Sequence, residues 1–351
     1  MSLPQAFLDE IKARTSLSGL IGRSIKIVKA GREFKAICPF HSEKTPSFTI
    51  NDEKGFFHCF SCGAHGDAIR WLTDYARLDF IDAVRDLAAA GGMEMPERSP
   101  EAAARAAAID GLRPAVAAAA GFYCEQLRQY ENVAALDYLL NERGLTIDLI
   151  DQFGIGFAPP PIDNLKPLGL SLRAAVESGL AWRDQETGRH GARFRSRIMI
   201  PVHDARGRVI GFGGRDFASD VKRASDAKYI NSPDSPIFDK GRVLFNLHRA
   251  APLARAKPGA AGRLILVEGY FDVIAMSAAG IGECVAPMGT ALTAAQLEAA
   301  WRVHPCPTLL FDGDAAGRKA AKRACETALA FVGPGKSLRV AMLPDGQDPD
   351  D

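Results

Sequence analysis

The sequence predicts an α/β protein of more than one domain: a small β module at the N-terminus, then a mixed α/β region whose last third is a parallel sheet. Three observations predict it. Two ligand-type pairs, Cys38-Pro-Phe-His41 and Cys59-Phe-Ser-Cys62, stand within the first 96 residues; an alanine-rich stretch interrupts the pattern after Pro96; and the C-terminal third alternates apolar runs with helical segments. At 351 residues and 47% hydrophobic composition the chain can bury a sizeable core, and roughly 100–200 residues per domain makes two or three domains the expectation. No stretch approaches the roughly 18 uncharged apolar residues of a membrane span, and Asp9, Glu10, Lys12 and Arg14 break any signal-peptide core. A membrane class is excluded and a cytoplasmic address is expected.

Residues 1–96 hold the two pairs and end at Gly91-Gly92 and Pro96. Seven cysteines in a cytoplasmic chain of this length do not predict disulfides, so their spacing carries the information. Two residues between ligands let one tight turn hold both on a single ion. Cys38, His41, Cys59 and Cys62 together fill a tetrahedral shell, the mark of one structural Zn²⁺ with no open position. Residues 48–50 and 55–58 read as strands of a ribbon joined at Asn51-Asp52, and His58 and His65 fall off the ligand spacing. Around the pairs, Lys35, Lys44, Lys54 and Arg70 lie among Phe34, Phe40, Phe48, Phe56, Phe57 and Phe60. Bases neutralise phosphate and aromatic faces stack on unpaired bases, although several of these rings must be core. Cys124, Cys284, Cys306 and Cys325 lack ligand spacing and are expected to be buried thiols.

Residues 97–120 are rich in alanine, interrupted by Pro100, Gly111 and Pro114, and poor in large apolar side chains; they read as a partly helical linker. Residues 121–258 form a basic mixed region, with apolar runs at 194–202, 209–213 and 229–230 that read as strands. From Arg189 to Arg249 there are 13 Lys and Arg against 6 Asp and Glu, a local excess of 13 − 6 = +7 in a chain of net charge +1. Residues 259–351 read as strand 264–267, helix 272–279, strand 308–311, helix 315–330 and strand 338–343. Apolar strands without alternation, separated by helices, indicate a parallel sheet with its ligand at the carboxyl ends of the strands.

Those strand ends are acidic. Glu268 follows the first strand, Asp312 and Asp314 the second, and Asp348 and Asp350 the third. Any one cluster could be a helix cap. All three in register would repel one another unless cations neutralised them, and hard oxygen ligands suit Mg²⁺ or Mn²⁺.

Val267-Glu268-Gly269-Tyr270-Phe271-Asp272, Phe311-Asp312-Gly313-Asp314-Ala315-Ala316-Gly317 and Asp345-Gly346-Gln347-Asp348-Pro349-Asp350 resemble the three acidic signatures of the Toprim fold in bacterial DnaG-type primases. Cys38 to Phe48 with Cys59 to Gly66 resembles the same family's zinc ribbon. Gly211 to Arg215 and Lys228-Tyr-Ile-Asn231 through Phe238-Asp-Lys240-Gly-Arg242 resemble its basic motifs. The resemblance is ordered along nearly the whole chain. It implies a zinc-ribbon DNA-binding domain (1–96), a linker (97–120), a basic α/β subdomain (121–258) and a Toprim catalytic subdomain (259–351). The implied activity is a DNA-directed RNA polymerase that makes short primers from ribonucleoside triphosphates on single-stranded DNA at replication forks in the nucleoid.

The resemblance also implies roles. Glu268, Asp312 and Asp314 would be catalytic metal ligands supported by Asp272, and Asp348 and Asp350 would bind further Mg²⁺. Arg143, Arg215, Lys228, Asn231, Lys240 and Arg242 would line a track for template, nucleotide or nascent RNA. The sequence stops at Asp351, so the family's helical bundle and its domain for the replicative helicase are expected to be missing. The rival readings are a phage-type primase joined to a helicase, another Toprim enzyme, and a zinc-ribbon protein that only binds single strands. The other Toprim enzymes in question are a nuclease and a topoisomerase; a topoisomerase would need a nucleophilic tyrosine, and of the six tyrosines only Tyr270 lies within the signatures.

Overall fold

The chain folds into two compact units in the computed structural model, the first made of Met1–Ala104 with Arg255–Gly262 and the second of Arg105–Ala254 with Arg263–Asp351. It describes residues 3–76, 78, 80–96, 100–160, 168–217, 227–256, 262–289, 291–333, 336–344 and 346, with backbone alone for 100–106 and 108.

The first unit begins with helices α1 (Gln5–Arg14) and α2 (Leu17–Gly22). An antiparallel sheet follows in sequential order: β1 (Val28–Ala30), β2 (Glu33–Ala36), β3 (Phe48–Asn51), β4 (Phe56–Cys59) and β5 (His65–Gly66). Helices α3 (Ala68–Asp74) and α4 (Phe80–Ala90) complete it. Strand alternation sends Phe48 and Ile50 to one face, where they meet Phe57, Trp71, Val84, Leu87, Ile11 and Ile21 in one core. Phe48 stacks on Phe57 at 5.2 Å, and Trp71 meets the Phe57 ring edge-on at 5.8 Å. Side chains of this size contribute roughly 1.5–3 kcal/mol each on full burial. Asp67 caps α3 by accepting from the Arg70 N–H.

The second unit opens with α5 (Pro100–Leu127), α6 (Val133–Asp137), a π-helical turn at Tyr138–Glu142 and α7 (Ile147–Phe153). Then come β6 (Gly156–Ala158), α8 (Leu172–Glu177) and the hairpin β7 (Ala181–Arg183) with β8 (His190–Ala192). Strands β9 (Arg197–His203), β10 (Val209–Asp216) and β11 (Tyr229–Asn231) build an antiparallel sheet of order β11-β10-β9-β6. Central β9 is buried on both faces: Ile198, Ile200 and Val202 join one core, Met199 the other.

The last part runs β12 (Leu244–Phe245), α9 (Leu247–Ala256), β13 (Ile265–Leu266), α10 (Tyr270–Ala278), β14 (Cys284–Pro287), α11 (Ala294–Trp301), β15 (Thr308–Phe311), α12 (Ala315–Leu329) and β16 (Arg339–Met342). Its sheet has the order β12-β14-β13-β15-β16; β14, β13, β15 and β16 are parallel and β12 lies antiparallel at one edge. The parallel sheet expected from the apolar runs is therefore present, with an extra strand and helix, β14 and α11, inserted between the two expected βα units.

Helix α5 occupies most of the segment expected as a linker. Gly111 and Pro114 lie within it, and Leu112, Ala115, Val116 and Ala119 are buried. Small alanine side chains let this helix, with its Tyr123, pack closely against Phe194 and Phe212. Burial thereby overrides the local breakers. Of the four cysteines expected as buried thiols, only Cys284 is fully buried; Cys124, Cys306 and Cys325 are partly exposed, being on or beside surface helices and loops.

Candidate functional site

In the first unit, Cys38 and His41 from the loop after β2 meet Cys59 at the end of β4 and Cys62 from the following turn. Their donor atoms all lie within 4.8 Å of one another, and among the described residues no other group of three or more Cys, His, Asp or Glu side chains does so. Cys38 Sγ is 3.8 Å from Cys62 Sγ, and Cys59 Sγ is 3.8 Å from His41 Nδ1. The Phe40 and Cys62 N–H groups donate to the Cys38 and Cys59 sulfurs, as in tight knuckles. Burial pushes the Cys38 and Cys62 thiols up, so thiolates here call for a cation. Three sulfurs and one imidazole nitrogen with no open position fit Zn²⁺. His58 and His65 stay outside the cluster: the His65 Nδ1 lies 2.7 Å from the Gly63 carbonyl oxygen, and the His58 ring packs on Phe60.

Spacing alone missed Glu43. Its Oε2 lies 3.2 Å from His41 Nε2, and it accepts from the Ser47 hydroxyl and from the Cys38 and Ser47 N–H groups. Burial raises its pKa, but these bonds outweigh burial and hold the carboxyl below its ordinary range. The ribbon also sorts its phenylalanines. Phe48 and Phe57 are buried and Phe34 and Phe40 are half-buried against the core, whereas Phe56 and Phe60 stand 40% and 75% exposed. Lys35, Lys44, Lys54 and Arg70 are exposed as well.

In the second unit, the parallel register of β13 with β15 places Glu268 beside Asp312, whose N–H donates to Glu268 Oε1 at 3.4 Å. Burial raises the Glu268 pKa, and the charges of Asp312, Asp272 and Asp314 push it the same way. Two of the carboxylates also cap helices: Asp314 Oδ1 accepts from the Gly317 N–H at the start of α12, and Asp272 Oδ2 accepts from the Gly269 N–H at the start of α10. Capping engages one oxygen of each. The carboxylates converge without closing into the tight set that the sulfurs make. Asp348 and Asp350 lie outside the described residues.

Gly313 and Gly317 are required by packing. A Cβ on Gly313 would stand 1.8 Å from the Pro344 carbonyl oxygen, and one on Gly317 2.2 Å from that of Asp312.

The expected basic residues fall into two groups. Arg143 and Arg215 stack on Phe271, at 4.9 and 5.2 Å, and both also lie over Tyr138. Arg143 Nε donates to the Tyr138 hydroxyl and Arg215 Nη1 to that of Tyr229. Phe271 follows Glu268 by three residues, so both guanidiniums stand near the acidic strand ends. Lys228 and Arg242 are exposed and Lys240 is half-buried.

Asn231 is differently placed. Its Nδ2 donates to the Met288 carbonyl and its Oδ1 accepts from the Tyr270 hydroxyl at 2.7 Å, so it links β11 to the carboxyl end of β14. Tyr270 is 6% exposed with its hydroxyl engaged by Asn231, and burial pushes its pKa up, so it is not presented to a substrate. Sequence reasoning also missed Arg197, 4% exposed, which donates to the Gly214 and Ala227 carbonyls and so fixes the residue before Lys228. No helix among the described residues is long and apolar enough to cross a membrane.

Three family models match in order: a CHC2 zinc finger over residues 3–103, the N-terminal domain of the DNA primase catalytic core over 122–251, and a Toprim domain over 262–341. The DNA primase of Pseudomonas aeruginosa is 42% identical over 99% of this chain, which spans 52% of that relative. The crystal structure of the Aquifex aeolicus primase zinc-binding and RNA polymerase domains is 34% identical. It covers 100% of this chain and is itself covered to 81%, with a TM-score of 0.57. A DnaG primase catalytic domain bound to single-stranded DNA is 40% identical over 70% of this chain and 74% of its own, with a TM-score of 0.62.

Proposed function

The chain belongs to the bacterial DnaG-type DNA primase family, and from that premise we propose that it makes short RNA primers on single-stranded DNA, joining ribonucleotides at the carboxyl edge of its parallel sheet. The observation that carries the proposal is the contact of Glu268 with Asp312 at the ends of β13 and β15, with Arg143 and Arg215 stacked on Phe271 close by. Anion-binding and cation-binding groups then flank one edge, as a metal-bound triphosphate requires.

Glu268, Asp312 and Asp314, supported by Asp272, are the proposed ligands for Mg²⁺ or Mn²⁺, with Asp348 and Asp350 for further metal. The fit rests on hard oxygen donors, on a Glu268 whose charge is disfavoured by its acidic neighbours, and on spacing that leaves room for water and substrate oxygens. The chemistry a divalent cation supplies at such an edge is acidification of the attacking 3′-hydroxyl and neutralisation of charge on the α-phosphate. Arg143, Arg215, Lys228, Lys240 and Arg242 hold the triphosphate and strand in line by charge-assisted contacts. Asn231 keeps β11 against β14 so that Lys228 stays at this edge. The exposed Phe56 and Phe60, with Lys35, Lys44, Lys54 and Arg70, take unpaired template bases and phosphates. The relative solved with single-stranded DNA supports that choice of template. The setting proposed is the cytoplasm, at replication forks and beside a replicative helicase.

The test is incorporation of labelled ribonucleotides on single-stranded templates by the complete protein, parent against Asp312→Asn. Removing one charge from a repelling set should leave the metal-free melting temperature unchanged or raised. Primer synthesis should fall by about 100-fold or more. Synthesis near the parent's level in Asp312→Asn would overturn the metal-site reading.

A further inference from the structure

The loop that carries Lys240 and Arg242 is gripped by the first turn of α11, and we infer that Gln296 and Thr293 are positioning residues that aim those two bases at the acidic edge. Their role rests on the polyanion contact proposed above for Lys240 and Arg242.

Gln296 is fully buried. Its Nε2 donates to the Lys240 carbonyl at 2.9 Å and to the Val243 carbonyl at 3.0 Å, while its Oε1 accepts from the Thr293 N–H. The Thr293 hydroxyl donates to the Gly241 carbonyl at 2.6 Å and accepts from the Gln296 N–H. A helix capping box needs only the two acceptor oxygens of such a pair. The hydroxyl proton and both amide protons are surplus to capping, and all three go to carbonyls of one loop.

The loop is pinned from its other side as well. The Lys240 N–H donates to Asp234 Oδ1, the Gly241 N–H to Asp239 Oδ1, and the Arg242 and Val243 N–H groups to the Asp239 carbonyl. With its backbone satisfied on both sides, the loop turns the Arg242 side chain outward, 77% exposed.

Strand pairing says where the loop emerges. Leu244, the first residue of β12, pairs with Pro287, the last of β14. β14 is parallel to β13 and β13 to β15, so the loop before β12 emerges at the sheet end from which Glu268 and Asp312 leave. A rigid loop at that edge sets the reach of two bases toward a ligand held there, and small displacements of such groups are costly to binding.

Two variants separate anchoring from folding. Gln296→Met keeps the volume and removes both donors together with the oxygen that accepts from the Thr293 N–H; Thr293→Asp keeps an acceptor to cap α11 and removes only the hydroxyl donor. In the complete protein we measure the KM for ribonucleotide, the Kd for a single-stranded oligonucleotide, kcat and the melting temperature. Each variant should raise whichever of KM or Kd Lys240→Ala raises, by roughly two- to tenfold, the equivalent of one or two lost hydrogen bonds, with kcat little changed. Thr293→Ser should restore the parent's value. In a Lys240→Ala/Arg242→Ala background, Gln296→Met should add nothing further. Equal effects in both backgrounds would make Gln296 a fold-stabilising residue and overturn the inference, as would unchanged constants in both anchoring variants. Unchanged constants in Lys240→Ala would locate the failure in the polyanion reading, and the inference would fall with it.

Discussion

His41 presents Nδ1 to the Cys59 sulfur while Glu43 faces its other ring nitrogen, and that carboxylate is itself fixed by Ser47 and the Cys38 N–H. Partners of this kind orient a ligand and raise its basicity, and their loss weakens metal binding by about 10- to 100-fold. Glu43→Ala is therefore expected to lower zinc affinity by that factor in a chelator competition, with His58→Ala as the unaffected control. An affinity equal to the parent's would reduce Glu43 to a loop residue. The quartet itself was legible because its spacing is local: two ligands per turn can be read without knowing the fold. Glu43 was not, since one carboxylate near a histidine looks like any other of the 42 in the chain. The same limit applies to Asn231. Its motif identified it, but that its amide is bonded to Tyr270 and Met288 depends on strands far apart in sequence.

Elements set the acidic edge through their ends. β15 delivers Asp312, the chain turns through Gly313, Asp314 caps α12, and Gly317 in the first turn of that helix packs on the Asp312 carbonyl. The turn and the helix start are one unit, so disturbing the helix moves the carboxylate. Gly317→Ala would place a methyl 2.2 Å from a backbone oxygen that no rotamer change can relieve. It is expected to destabilise the protein by about 1–3 kcal/mol and to lower primer synthesis beyond what the lost stability explains. Thermal melting and incorporation measured together would show it. Parent-like values for both would mean that the edge tolerates a shift of this size. Strands β13, β15 and β16 and helices α10 and α12 were legible from their apolar runs. β14 and α11 were not, because Cys284–Pro287 is short and ends in proline, and the α11 sequence is dominated by alanine and gives little periodicity. The packing of the stretch read as a partly helical linker was hidden for a related reason. Alanine signals no packing partner in sequence, yet its small size is what lets α5 press against Phe194 and Phe212.

Over the whole second unit, the antiparallel sheet is tied to the helix leading into the parallel sheet by a pair of histidines. His203 ends β9, His248 lies in the first turn of α9, and their rings are 4.5 Å apart, tilted by 33°. Both Nδ1 atoms are buried without a hydrogen-bond partner among the described residues. Burial pushes each pKa down to about 4, from an ordinary 6.5; the Arg249 charge adds to the effect on both, His203 adds to it on His248, and Asp204 opposes it. The pair is accordingly neutral in the folded protein at pH 7. Between pH 6.5 and about 4 the unfolded chain binds protons at these positions that the folded chain does not, so stability must fall as pH drops through that window. Above it, the two residues add no pH dependence. The loss should be on the order of 1–3 kcal/mol per histidine, the lower end applying because neither ring is completely shielded from water. Denaturant midpoints at several pH values from 4.5 to 7.5 would show the decline in the parent, and a His203→Gln/His248→Gln double variant should flatten it. The carboxylates of the acidic edge act in the opposite direction, since a Glu268 pKa held above its ordinary value makes protonation favour the folded state. A parent whose stability rose on acidification across this window would show that carboxylate relief outweighs histidine charging. A double variant that kept the parent's decline would place its origin elsewhere in the unit.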